Sequence, residues 1–155
     1  MNTLFQICLV LHITGIVMIA GTTFSNYFIS KQFWNYVETD RQKSIIINST
    51  TLLFGKLTGI GGAVTIISGF AMVAVLHGVI ASQLWFKIKM ILVLLIILNA
   101  SFVARKQNKK LLQLLSANNT TTNVFDAVKL KMNIYYAVQF LLLIIIFALS
   151  VFKFN

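Results

Sequence analysis

Apolar positions in this chain come in long runs, not in alternation with polar ones. Four stretches (Leu4 to Ile29, Thr51 to Gly78, Ser82 to Val103 and Lys131 to Lys153) are long enough to cross a bilayer, which takes about 20 helical residues. Polar residues inside the runs recur at spacings of three, four and seven, which is a helical period. Open strands would leave backbone groups unpaired in lipid, so helices are the form that spans. The pattern predicts an all-α polytopic membrane protein with four transmembrane helices in an antiparallel bundle. The absence of proline leaves each run free to be an uninterrupted helix. No internal repeat or linker divides residues 1–155, so the chain reads as a single transmembrane domain.

Composition narrows the class further. Hydrophobic residues make up 58% of the chain and charged residues 10%, whereas a soluble domain carries about 25% charged residues. This excludes an ordinary soluble globule, a disordered tail and a disulfide scaffold. The single cysteine, Cys8, cannot form an internal bridge. The first run has no Lys or Arg before Lys31 and exceeds a signal-peptide core in length. It therefore reads as a retained span, with cleavage near Ala20 as the alternative.

The net charge of +10 comes from 13 Lys and Arg against 3 Asp and Glu. The first connection carries Lys31, Arg41 and Lys43. The third carries Arg105, Lys106, Lys109, Lys110, Lys129 and Lys131. The second, Val79 to Ala81, carries none. Basic connections stay on the cytoplasmic side. Both longer connections then face in, while both termini and the short turn face out. The rest of the charge suits anionic headgroups of membrane lipids. It is not organised around a nucleic-acid-binding fold, so no nucleic-acid partner is expected. Phe33, Trp34 and Tyr36 fit the interface. Leu111 to Val128 predicts an amphipathic extension of the third helix and then a polar turn, with Ser116 or Asn118 ending one helix and Thr122 or Asn123 capping the next.

Polar residues within the runs are the informative ones, because they are costly in lipid. His12 shares a face with Cys8, Gly15, Thr22 and Asn26. Gly15 leaves room for a close neighbour, either a helix backbone or a flat cofactor. Gly55, Gly59, Gly62 and Gly69 form a stripe on the second helix, with Gly61 and Ser68 beside it. Its two readings are close helix packing and space for a cofactor plane. His77 ends that helix. On the third helix Trp85 suits the outer interface, Lys87 can snorkel, and Lys89 lies deeper on the face of Trp85, Ile96 and Ala100. Two lysines two residues apart point to different sides, so one is a candidate for the interior. On the fourth helix Met132, Tyr136, Gln139, Leu143, Ile146 and Ser150 alternate at four and three, a seam in which Gln139 is expected to donate a hydrogen bond. By helical rise His12 and Lys89 lie roughly 10–12 Å below the outer ends of their helices, in one layer, and His77 lies about 10 Å shallower.

These residues cannot assemble a Ser-His-acid set, a pair of carboxylates or a Cys/His metal cluster. A lone imidazole in a helical bundle suffices as an axial haem ligand, and the haem would then carry the redox chemistry. The competing reading of His12 is a hydrogen-bonded packing histidine. A second functional class is a small transporter or copper-handling protein without haem. Asn26, Thr58 and Gln139 are its polar groups, and Met18, Met72 and Met90 are scattered instead of clustered for a soft metal. A third is a structural subunit whose glycine stripe docks a partner helix.

Leu11-His12-Ile13, then Ala20-Gly21 and Phe24, resembles the opening helix of the CopD/HemJ-like membrane family. The run Trp85-Phe86-Lys87-Ile88-Lys89-Met90-Ile91-Leu92-Val93-Leu94-Leu95 resembles that family's third-helix motif. The likeness extends over Leu4 to Arg105 in order and hydropathy. The chain departs from it at Ser25-Asn26-Tyr27-Phe28, where HemJ has a proline-containing segment. The resemblance implies a four-helix haem b protein of a bacterial inner membrane, of the kind that includes HemJ-type protoporphyrinogen oxidase. By the same resemblance His12 is the haem-iron ligand and Lys89 handles haem or substrate. The residues themselves leave the second ligand open among Lys89, His77 and another group, with His12 and His77 a poor fit to a single iron by depth, and they put Gly15 and Trp85 beside the site. The expected partner is a small-molecule redox partner or substrate, with the state of the chain left open between a monomer and a homo-oligomer. Whether such a protein is an oxidoreductase acting on a porphyrinogen-like or quinone-like substrate or an electron carrier stays open at this point.

Overall fold

A computed structural model describes residues 3–37, 39–76, 82–116 and 122–152. Its elements are α1 (Thr3–Tyr36), α2 (Arg41–Val75), α3 (Leu84–Leu98), a π-helical segment (Asn99–Ala104), α4 (Arg105–Ser116) and α5 (Thr122–Val151). No strand occurs among the described residues. Four helical stretches are long and apolar enough to cross a membrane: Thr3–Tyr36, Arg41–Val75, Leu84–Leu115 and Val124–Val151. The chain is a multi-pass α-helical membrane protein. It comprises two compact units, Met1–Phe86 and Lys87–Asn155.

The helices outrun the apolar stretches that predict them. α1 continues past Ile29 to Tyr36, and α2 starts at Arg41 instead of Thr51. Most of the expected first connection is therefore helical. Polar residues there form helix as readily as apolar ones, since backbone hydrogen bonding carries the helix beyond the span. α5 likewise begins at Thr122, nine residues before the apolar stretch, and includes Asp126. The amphipathic extension of the third helix is α4. It buries Leu111 and Leu115 and exposes Lys106, Lys109 and Lys110. The polar turn expected around Asn118 lies outside the described residues.

The break between α1 and α2 has a local cause. Asp40 is extended, and its carboxylate accepts from the Lys43 backbone N–H at 3.0 Å, which caps α2. That N–H, and then the Lys43 ammonium at 3.4 Å, holds the Asp40 carboxyl below its ordinary value of 3.8. Lys43 also lies 5.2 Å from the centre of the Tyr36 ring. A carboxyl held low in the folded chain stabilises above its unfolded value, and that contribution fades as pH falls through the lowered one. Asp40→Ala is expected to speed deuterium exchange at the Lys43 amide near neutral pH. Acidification below 3.8 should produce the same loosening in the unsubstituted chain.

In the first unit α1 and α2 run antiparallel. His12 meets Ser68 and Thr22 meets Thr58, ten residues on along α1 and ten back along α2. The buried residues of α2 are Ser44, Asn48, Thr51, Gly61 and Ser68. Those of α1 are Cys8, Gly15, Thr22, Thr23, Asn26, Ser30 and Phe33. Apolar side chains such as Leu53, Ile60, Ile67 and Phe70 point outward. A soluble protein would have the reverse arrangement. Lipid chains are as apolar as leucine, so leucine gains nothing by turning inward. Small residues bring backbones close, and polar ones bond across the contact.

In the second unit α5 runs back along α3 and the π-helical segment. Lys89 Nζ donates to Ser150 Oγ at 2.8 Å, and Asn99 Nδ2 donates to Gln139 Oε1 at 3.0 Å. The partners again advance ten residues on one helix and eleven back on the other. Asn99 opens the π-helical segment, which loosens the turn there and re-phases the side chains that follow.

Candidate functional site

His12 stands half-buried between α1 and α2. Its Nδ1 lies 2.9 Å from the Thr65 carbonyl oxygen and 3.2 Å from Ser68 Oγ. A carbonyl only accepts, so Nδ1 carries the proton and donates it. In the neutral ring the lone pair then sits on Nε2. The Ser68 hydroxyl reaches the same Thr65 carbonyl at 3.1 Å as well as Val64 O at 2.6 Å, while the Thr65 hydroxyl donates to Gly61 O at 2.8 Å. A β-carbon at Gly69 would lie 3.2 Å from His12 Cε1. Gly69 is therefore the residue that makes room for the imidazole.

The glycines divide into two sets. A β-carbon at Gly15 would collide with Thr65 Oγ1 and lie 2.8 Å from the Gly61 carbonyl and 2.9 Å from the Thr65 nitrogen. One at Gly61 would lie 2.9 Å from Met18 Cβ and 3.0 Å from the Gly15 carbonyl. Of the two neighbours that Gly15 can admit, the α2 backbone is the one that lies there. Gly21, Gly55, Gly59 and Gly62 meet nothing within 4 Å. Of the stripe read from spacing, Gly69 makes room for the histidine and Gly55, Gly59 and Gly62 stay open, while close helix packing falls to Gly61 beside it.

Next to His12 along the seam, Thr22 and Thr58 bring their hydroxyls to 2.7 Å. Each also reaches a carbonyl of its own helix, Met18 O and Phe54 O. Each hydroxyl has one proton, so one donates across the seam while the other donates within its helix.

The other candidates fall as follows. Trp85 is buried, and its Nε1 donates to Gln83 Oε1. Lys87 is exposed, whereas Lys89 is half-buried and donates to Ser150. The expected division between an outward and an inward lysine holds. His12 belongs to the first unit and Lys89 to the second. His77 lies outside the described residues. No cluster of three or more His, Cys, Asp or Glu suited to a metal ion occurs among the described residues.

The α5 seam holds Met132, Tyr136 and Gln139 buried, with Leu143, Ile146 and Ser150 half-buried. Gln139, 1% exposed, accepts from Asn99 through Oε1 instead of donating there. Asn99 also approaches the Tyr135 carbonyl at 3.4 Å. Of the two amides in the third apolar run, Gln83 stands at its edge and Asn99 deep within it, and an amide deep in lipid needs a partner. Gln139→Leu should cost about 1–2 kcal/mol by stranding the Asn99 amide. Asn99→Leu in the same chain should recover part of that loss, and thermal unfolding of the two singles and the double measures the coupling.

No protein-family model matches the chain, and no curated protein or solved structure is significantly similar to it.

Proposed function

We propose that this chain is a haem b protein of a bacterial inner membrane, of CopD/HemJ-like type. Its His12 would supply the axial nitrogen. The observation that supports this reading is the Nδ1–H bond to the Thr65 carbonyl. A metal-binding imidazole ordinarily donates its other N–H to a carbonyl or carboxylate, which fixes the tautomer, orients the ring and raises its basicity. The donor chemistry fits an axial ligand. The fit rests on the imidazole and not on the glycines, since the room at Gly15 and Gly69 is taken by the α2 backbone and by the ring itself.

The group, when bound, supplies one-electron redox chemistry for electron transfer or for oxidation of a porphyrinogen-like or quinone-like substrate. The chain's own residues orient the ring, exclude water and set the surrounding polarity. In the second unit Lys89, whose Nζ donates to Ser150 Oγ, would suit an anionic substrate. The exposed Lys106, Lys109, Lys110, Lys129 and Lys131 favour placing the α4 end of the second unit on the cytoplasmic side.

The test is a reduced-minus-oxidised spectrum of protein purified from haem-replete cells, with haem quantified per chain. The expected result is a Soret band with near-stoichiometric haem. A colourless protein ends this reading. Metal analysis of that colourless sample then tests the transporter or copper-handling class, which the polar row from Ser44 to Ser68 on α2 favours.

A further inference from the structure

The α1–α2 seam changes character along its length. From His12 to Thr58 its polar groups find partners on the facing helix or on their own. Toward the Asp40 end some do not. Asn26 is 8% exposed and Asn48 2%. Asn26 Oδ1, Asn48 Nδ2 and the indole Nε1 of Trp34 are each closed off from the surface without a hydrogen-bond partner. Asn26 follows Thr22 by one turn and Asn48 follows Ser44 by one turn, so both amides stand on the buried stripes of their helices.

The Thr22–Thr58 contact sets the register. Continued along the antiparallel pair, it places Asn26 and Asn48 about 9 Å apart along the axis. Ser30 and Thr51, both buried, fall between those levels. One water molecule linking two groups spans roughly 5.5 Å, at about 2.8 Å for each bond. The two levels are farther apart than one water spans, and Ser30 and Thr51 stand between them.

The orphans are complementary. Asn26 offers an acceptor, and Asn48 and Trp34 offer donors. Leaving all three unmade while shut off from solvent is costly. Water, which donates and accepts at once, answers both kinds, and buried waters typically bond polar groups that are otherwise unpaired. We propose that this stretch of the α1–α2 seam is a water-binding site, a short file of ordered water held by Asn26, Asn48 and Trp34 with the Ser30 and Thr51 hydroxyls between. The file ends one turn from Thr22, whose hydroxyl touches Thr58, so exchangeable protons reach well into the span. The site does not depend on the haem reading and is testable in pigment-free protein.

The experiment is solid-state NMR of the full chain in phosphatidylcholine vesicles, following magnetisation transfer from water protons to side-chain amides. Transfer to the Asn26 and Asn48 side-chain amides is expected to build up several-fold faster than to those of Asn99 and Gln139, which are bonded to each other. Build-up no faster than at Asn99 and Gln139 overturns the proposal, and this measurement needs no variant. Asn48→Leu supplies a second readout. With water present it removes a satisfied group, so transfer to Asn26 and the unfolding temperature both fall. In a dry seam it removes an unpaired polar group, and the unfolding temperature rises. A rise overturns the proposal as well.

Discussion

Gly15→Ala is expected to destabilise the α1–α2 hairpin by about 3 kcal/mol, the upper end of what overpacking costs. The added methyl group meets backbone. The Gly61 carbonyl and the Thr65 nitrogen would sit at 2.8 and 2.9 Å from it, and neither can rotate away. The helices must part, and parting stretches the His12–Thr65 bond on one side and the Thr22–Thr58 bond on the other. For a chain of this size that loss corresponds to a drop of roughly 10 °C in unfolding temperature. Cys8 provides the readout, because it is the single thiol and is buried in the same stripe. A thiol-reactive dye followed during heating reports opening of the hairpin. Gly59→Ala is the control. Nothing lies within 4 Å of that position, so the change there should stay under about 1 kcal/mol and lean toward stability through helix propensity. Equal shifts in the two variants would refute the division of the glycines into packed and open sets.

That division marks where sequence reading stops. The helices themselves are legible because lipid imposes a simple requirement, about 20 apolar residues with backbone bonds satisfied internally. The shared face of Cys8, Gly15, Thr22 and Asn26 is legible too, since heptad spacing follows from helix geometry alone. Gly55 and Gly61 cannot be told apart in the same way. Both are glycines on one helix, and only the register of the facing helix decides which of them touches Gly15. His12 illustrates the same limit. Its position in the seam follows from spacing, but the acceptor it finds is a main-chain carbonyl, and no residue type signals that. Thr65 and Ser68 become relevant only once α1 and α2 are aligned. The first connection differs for a related reason. Hydropathy ends where lipid ends, whereas α1 runs on to Tyr36 and α2 starts at its Asp40 cap; the other boundary, Ser116 to Thr122, was legible from its polar residues. Asn99 could have been found, because an amide deep in the third run calls for a partner on a neighbouring helix, and Gln139 stands on the α5 seam.

His12→Ala should abolish haem binding in protein that the unsubstituted chain shows to be pigmented, with the Soret band falling at least about tenfold. The loss has to be separated from simple unfolding, and the structure indicates how. Within the seam the substitution deletes the Nδ1 contacts to the Thr65 carbonyl and the Ser68 hydroxyl, both of which keep bonds within α2. Its structural cost should be about 1 kcal/mol, well below that of Gly15→Ala. The Cys8 profile should therefore move by only a few degrees while the pigment disappears, and imidazole added to the purified variant should restore part of the band. Gly69→Ala makes the complementary test. Its new methyl group would press on His12 Cε1 at 3.2 Å and tilt the ring without removing the nitrogen. The expected result there is a shifted band at near-normal haem content. If His12→Ala leaves the spectrum unchanged, the imidazole's bond to Thr65 is helix packing alone, and the ligand must be sought elsewhere in the chain.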